Sequence, residues 1–125
     1  MEKEEIKYIN YQLIGLGITL ITTVIAIIIT YNQKLGTAKK EKILSNKDSL
    51  KLTYFNRILI LLIAILFLYI NYRFYEIDKE KGVDIKGDIL QITASILTIV
   101  GALIAIYVVS LSNTENIADI ENPNI

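Results

Sequence analysis

Charged positions divide the chain into three long apolar stretches. No Asp, Glu, Lys or Arg occurs in Tyr8–Gln33, in Ile58–Tyr72 or in Ile89–Thr114. A hydrocarbon core of about 30 Å takes about 20 helical residues to cross. The first and third blanks exceed that length, and the second reaches it once its flanking aromatic residues are included. The pattern predicts an all-α integral membrane protein, a small bundle of three transmembrane helices in a single domain. The spans are expected at about 11–31, 54–75 and 89–111. A basic loop (32–56), an acidic hairpin (76–88) and a polar tail (112–125) account for the other segments.

The edges support this division. Tyr11 and Tyr31 sit where the aromatic belts of a bilayer lie, as do Tyr54, Phe55, Tyr69, Tyr72, Phe74 and Tyr75 around the second span. Arg57 and Arg73 bracket the second charge-free stretch, and their long stems let the heads extend toward the headgroups. Ser45 or Asp48 is expected to cap a helix running into span two, and Asp88 to cap the third helix. Gly82 and Gly87 are the expected turns of the acidic hairpin. The first span should stay with the chain. Its Met-Glu-Lys-Glu-Glu start is acidic, its apolar stretch is long, and no small-residue cleavage pair follows Ile29.

In lipid, helices associate through close approach of small residues and through interhelical hydrogen bonds. Gly15, Thr19, Thr22, Ala26 and Thr30 recur at steps of three and four on one face of span one. A matching stripe on span three runs through Gln91, Ala94, Thr98, Gly101, Ala105 and Ser112, thickened by Ser95 and Ala102. Span two offers Ala64 amid Ile, Leu and Phe. The expectation is that spans one and three pack closely, with each other or with copies of themselves, and that span two faces mostly lipid. Gly101 and Ala105 are expected at a close helix–helix contact.

Loop 32–56 carries Lys34, Lys39, Lys40, Lys42, Lys47 and Lys51 against Glu41 and Asp48, a net of +4. The hairpin 76–88 nets −2, and the tail holds Glu115, Asp119 and Glu121 without a basic residue. The positive-inside rule then puts the basic loop and the C-terminus inside and the N-terminus outside. The lysines, with Arg57 and Arg73, are also candidate contacts for lipid headgroups or partners, each near-surface cation contributing about 1 kcal/mol toward anionic lipid.

Composition removes many chemistries. The chain of 125 residues has no Cys, His or Trp, and its 13 basic and 13 acidic side chains cancel. Thiolate and imidazole ligands, Ser-His and Cys-His nucleophile pairs and disulfides are therefore absent. A net charge of zero is unlike a nucleic-acid binder. The hairpin carboxylates lack calcium-loop spacing and are interleaved with lysines. No ionisable residue is expected at the middle of a span, where transporters and proton relays place them. No catalytic residue, cofactor or metal site is expected. The abundance of Ile, Lys, Asn and Tyr marks an AT-rich genome, bacterial or viral, and says nothing about function. The expected partners are the bilayer, other protein subunits or further copies, and anionic lipids at the basic loop. The expected function is a non-enzymatic structural or accessory subunit of a larger membrane-associated assembly. That assembly would be a bacterial membrane complex or a capsid-associated inner membrane of a virion. A homo-oligomeric pore or holin-like permeabiliser is the alternative.

Overall fold

A computed structural model describes residues 2–111, which form three helices: α1 (Glu2–Thr37), α2 (Asn46–Lys81) and α3 (Lys86–Ser110). The tail from Ser112 onward, with its three carboxylates, lies outside the described residues. All three helices are long and apolar enough to cross a membrane, as in a multi-pass membrane protein. α1 and α2 have 36 residues each, about 54 Å of helix at 1.5 Å per residue. Both therefore overrun the expected spans at each end. Glu2, Glu4 and Glu5 in the first turn of α1 and Lys34 in its last complement the helix dipole.

Local chemistry sets the ends. Ser45 caps α2, its hydroxyl accepting from the Asp48 amide at 3.1 Å. Gly82 ends α2 in the left-handed conformation at φ 75°, which costs glycine little. The α3 start differs from expectation. Ile85 occupies the cap position without a side-chain bond, and Asp84 Oδ1 accepts from the Lys86 amide at 3.0 Å. Gly87 and Asp88 already lie inside the helix, because Asp84 satisfies a free amide one turn earlier than Asp88 could.

Buried positions recur every seven residues. On α1 they are Tyr8, Gly15, Thr22 and Ile29, and on α2 Ser49, Asn56, Ile63, Ile70 and Ile77. On α3 they are Ser95, Ala102 and Val109, with Ala105 between. A seven-residue repeat holds one seam in contact along helices that cross at about 20°. α2 carries two seams. Asn56, Ile70 and Ile77 face α1, while Arg57 and Asn71 reach α3.

α2 is thus the middle helix, packed against both neighbours, and α1 and α3 form no comparable interface with each other. This corrects the expectation that span two faces mostly lipid, and, of the two contacts expected for spans one and three, the one with each other. The reason is visible at Gly15, where a Cβ would stand 2.9 Å from Phe67 Cζ and 3.5 Å from Leu66 Cδ2. Small residues of α1 make room for large residues of α2, so the small stripe does not seek another small stripe. Among the described residues Gly101 does not sit at a close contact, since an added Cβ there meets nothing within 4 Å.

The connection between α1 and α2 is tied down by Asn32, which is completely buried. Its amide donates to the Leu44 carbonyl at 3.2 Å and accepts from the Leu44 amide at 2.9 Å, as a strand neighbour would. At the opposite end of the bundle Tyr8 is enclosed by Ile70, Ile77 and a ring of aromatics, with Tyr11 and Tyr69 edge-on at 5.9 Å. Beyond them Lys81 pairs with Glu5 across α1 and α2.

Candidate functional site

Because α1 and α3 stand on either side of α2 without closing on each other, a cleft runs between them with α2 as its floor. Its larger compartment has a volume of about 590 Å³. The α1 wall brings Thr22, Thr23, Ala26, Ile27 and Thr30, and the α3 wall brings Thr98, Gly101, Ala102 and Ala105. Thr53, Asn56, Arg57 and Ile60 of α2 form the floor. A second compartment of about 290 Å³ lies toward the Tyr8 end, lined by Gln12, Asn71, Gln91, Ala94 and Ser95, and Thr98 borders both.

The residues of the two small stripes are therefore collected around one space. Thr22, Ala26, Thr30, Thr98, Gly101 and Ala105 line the larger compartment, and Ala94 the smaller. Gly15 lies instead under Phe67, and Thr19 is exposed with its hydroxyl donating to the Gly15 carbonyl at 2.8 Å. The Thr22 and Thr98 hydroxyls likewise donate to carbonyls of their own helices, at 2.7 and 2.9 Å. Those hydroxyl protons are spent, while their oxygens keep acceptor capacity.

Two floor residues have a different character. Arg57 is only 6% exposed, and its Nη1 donates to the Ala105 carbonyl at 2.8 Å. The sequence places this residue at the membrane edge with its head turned to the headgroups; the structure turns it sideways onto α3. It stands three residues, about 4.5 Å along the axis, inward of Tyr54. Asn56 is 5% exposed. Its Nδ2 donates to the Thr22 carbonyl at 3.2 Å, and its Oδ1 is buried with no hydrogen-bond partner among the described residues. A buried acceptor left so costs about 1–3 kcal/mol. Among the described residues the lining includes one cation, Arg57, and no carboxylate.

The other proposed headgroup contacts divide. Lys34, Lys39, Lys40, Lys47 and Lys51 are exposed around the end of the bundle nearer Arg57. Lys42 is half-buried and donates to Asn46 Oδ1. Arg73 turns inward, donating from Nε to the Tyr8 hydroxyl at 2.8 Å and from Nη1 to Glu76 at 2.7 Å. Its role is to join α1 to α2, because the Tyr8 ring lies 5.5 Å beneath the guanidinium. Among the described residues no group of three or more Asp, Glu, His or Cys is placed to hold a metal.

Sequence reasoning passed over Asn32, Ser49, Thr53 and Asn56. The signal for two of them was present: Ser49 and Asn56 share the seven-residue register of Ile63, Ile70 and Ile77, so polar side chains at that register belong to the buried seam. Comparison of the chain with protein-family models, with curated proteins and with solved structures returns no match to any of them.

Proposed function

We propose that this chain is a non-enzymatic structural or accessory subunit of a larger membrane-associated assembly, bacterial or virion, held by three spans. The observation that carries the reading is the row arrangement of the helices, with α2 covered on two sides and α1 and α3 apart. The bundle is one element short of closure on the cleft side. In lipid, amides such as Gln12 and Gln91 and the exposed small residue Ala94, all lining the smaller compartment, favour a neighbouring helix that approaches closely and hydrogen-bonds.

The orientation that goes with this reading has the basic loop inside and the hairpin at Gly82 outside. The chain lacks cysteine, so single cysteines at Lys40 and Val83 report it directly. An impermeant maleimide on intact cells should label the Val83 site and spare the Lys40 site. The function itself is tested by placing a photo-crosslinking residue at Gln91 or Ala94 and extracting the membranes in mild detergent. Adducts to one foreign membrane protein in fixed ratio support the subunit reading. Adducts only to further copies, together with dye leakage from vesicles holding the purified protein, would replace it with the pore.

A further inference from the structure

Antiparallel helices that share a seven-residue seam meet at paired levels, and the seam between α2 and α3 can be followed level by level. Asn71 Nδ2 donates to Ser95 Oγ at 2.6 Å, which fixes one level. Seven residues away from the connecting turn stand Ala64 and Ala102, both buried, and seven further Arg57 and Val109, buried as well. The same step taken toward the turn brings Asp78 of α2 and Asp88 of α3 to one level. Both are half-buried, and Asp78 precedes the helix-ending Gly82 by one turn. Their carboxyls lie within hydrogen-bond reach of each other. The seam that is apolar or amide-bonded elsewhere thus ends on two acids face to face.

We propose that Asp78 and Asp88 form a pH-sensitive latch between α2 and α3, closed by one shared proton and opened when both carboxyls ionise. Two carboxyls this close repel when both are charged, so one of them keeps its proton to a higher pH than a solitary aspartic acid does. That proton is donated from one carboxyl to the other, and the two titrate as a unit. Asp88 is held above the usual carboxylate range, first by burial, then by the hydrogen bond to Asp78 and the charges of Asp78 and Asp84. An acid raised in this way stabilises the fold fully below the ordinary aspartate value of about 3.9, and the contribution is lost as the pH climbs through the raised value. The latch therefore tightens on acidification and loosens toward neutrality. Other charges share this end of the bundle. α1 brings Glu2 and Glu5, and Glu5 holds Lys81, whose charge reaches Asp78. Lys79, Glu80, Asp84 and Lys86, from α2, the turn and α3, are exposed to solvent. The latch stands independently of the subunit reading and responds to whichever compartment faces the turn.

The chain has no cysteine, so a pair of spin labels can be placed without background on Tyr72 of α2 and Leu90 of α3, both exposed. Their separation is read by pulsed electron resonance on the full chain in a neutral detergent. The ratio of open to closed forms should rise several-fold from about pH 4.5 to about pH 7.5, above the ordinary aspartate range. Asp88→Asn keeps a donor for Asp78 but has nothing to ionise, and it should stay closed at every pH. Asp78→Asn should behave in the same way, which gives a second route if one variant fails to fold, and circular dichroism verifies the helices of each. Asp84→Asn should keep the response. A wild-type separation that is constant with pH would overturn the latch. So would a response that persists in both Asp78→Asn and Asp88→Asn, or one abolished by Glu5→Gln, which would assign it to the Glu5–Lys81 pair. Closure at neutral pH by millimolar magnesium or calcium, but not by sodium chloride of equal ionic strength, would replace the shared proton with a bound cation.

Discussion

Replacing Gly15 by leucine should damage the isolated bundle, and the same change at Gly101 should not. At Gly15 an added Cβ would sit 2.9 and 3.2 Å from two carbons of the Phe67 ring and 3.5 Å from Leu66. Carbon atoms at rest stand about 3.5–4.0 Å apart, so the ring has to move by about half an ångström for the Cβ alone. Overpacking of this kind costs about 1–3 kcal/mol, and three further leucine carbons in a filled seam push the cost to the upper end. Against it stands the better helix propensity of leucine, worth up to about 1 kcal/mol. The net loss for Gly15→Leu is about 2 kcal/mol. Gly15→Ala, which adds only the Cβ, should come out near zero. At Gly101 an added Cβ meets none of the described residues within 4 Å, so only the propensity term remains and the variant should be as stable as wild type or up to about 1 kcal/mol more so. The measurement is unfolding by SDS in a fixed host detergent, followed by circular dichroism. Equal stabilities for the two leucine variants, or Gly101→Leu as the weaker, would refute the placement of α2 between its neighbours.

Two further changes probe the connection from α1 to α2. Asn32→Leu removes both hydrogen bonds to Leu44 and leaves a backbone amide and carbonyl without partners, a loss of about 2–4 kcal/mol in the same assay. Unaltered stability would mean that water serves Leu44 equally well. Lys39 holds φ 58° where α1 ends, a conformation that costs a residue with a Cβ about 1–2 kcal/mol. Lys39→Gly should therefore stabilise the chain by about 1 kcal/mol, and a destabilisation would show that the lysine side chain contributes more than its backbone costs.

The spans were legible because charge is excluded from lipid so strongly that three blanks in the charge pattern mark three helices. The helix starts were partly legible: Ser45 followed by Asp48 is a cap signal, and Gly82 a stop. What the sequence did not disclose was which helix stands in the middle. Stripes of glycine, alanine and threonine on α1 and α3 suggested mutual contact, yet small residues also accept large ones, as Gly15 accepts Phe67. The buried seam of α2 contains Ser49, Thr53, Asn56 and Arg57 near one end, so a hydrophobic pattern alone reads that end as surface. Arg57 illustrates the general difficulty. Its position in the sequence puts it at the edge of the second apolar stretch, but only the presence of the Ala105 carbonyl on a neighbouring helix shows its head turned inward.

The order of the helices is the premise of the cleft, and disulfide trapping in native membranes measures it most directly. The chain has no cysteine of its own, so pairs can be introduced without background. Cysteines at Asn71 and Ser95, whose side chains touch at 2.6 Å, should join α2 to α3 on mild oxidation. Cysteines at Thr22 and Asn56 should join α1 to α2. A pair at Thr23 and Gly101, on opposite walls of the cleft, should stay reduced. Rapid trapping across Thr23 and Gly101, with the two α2 pairs unreactive, would place α1 against α3 and remove the cleft.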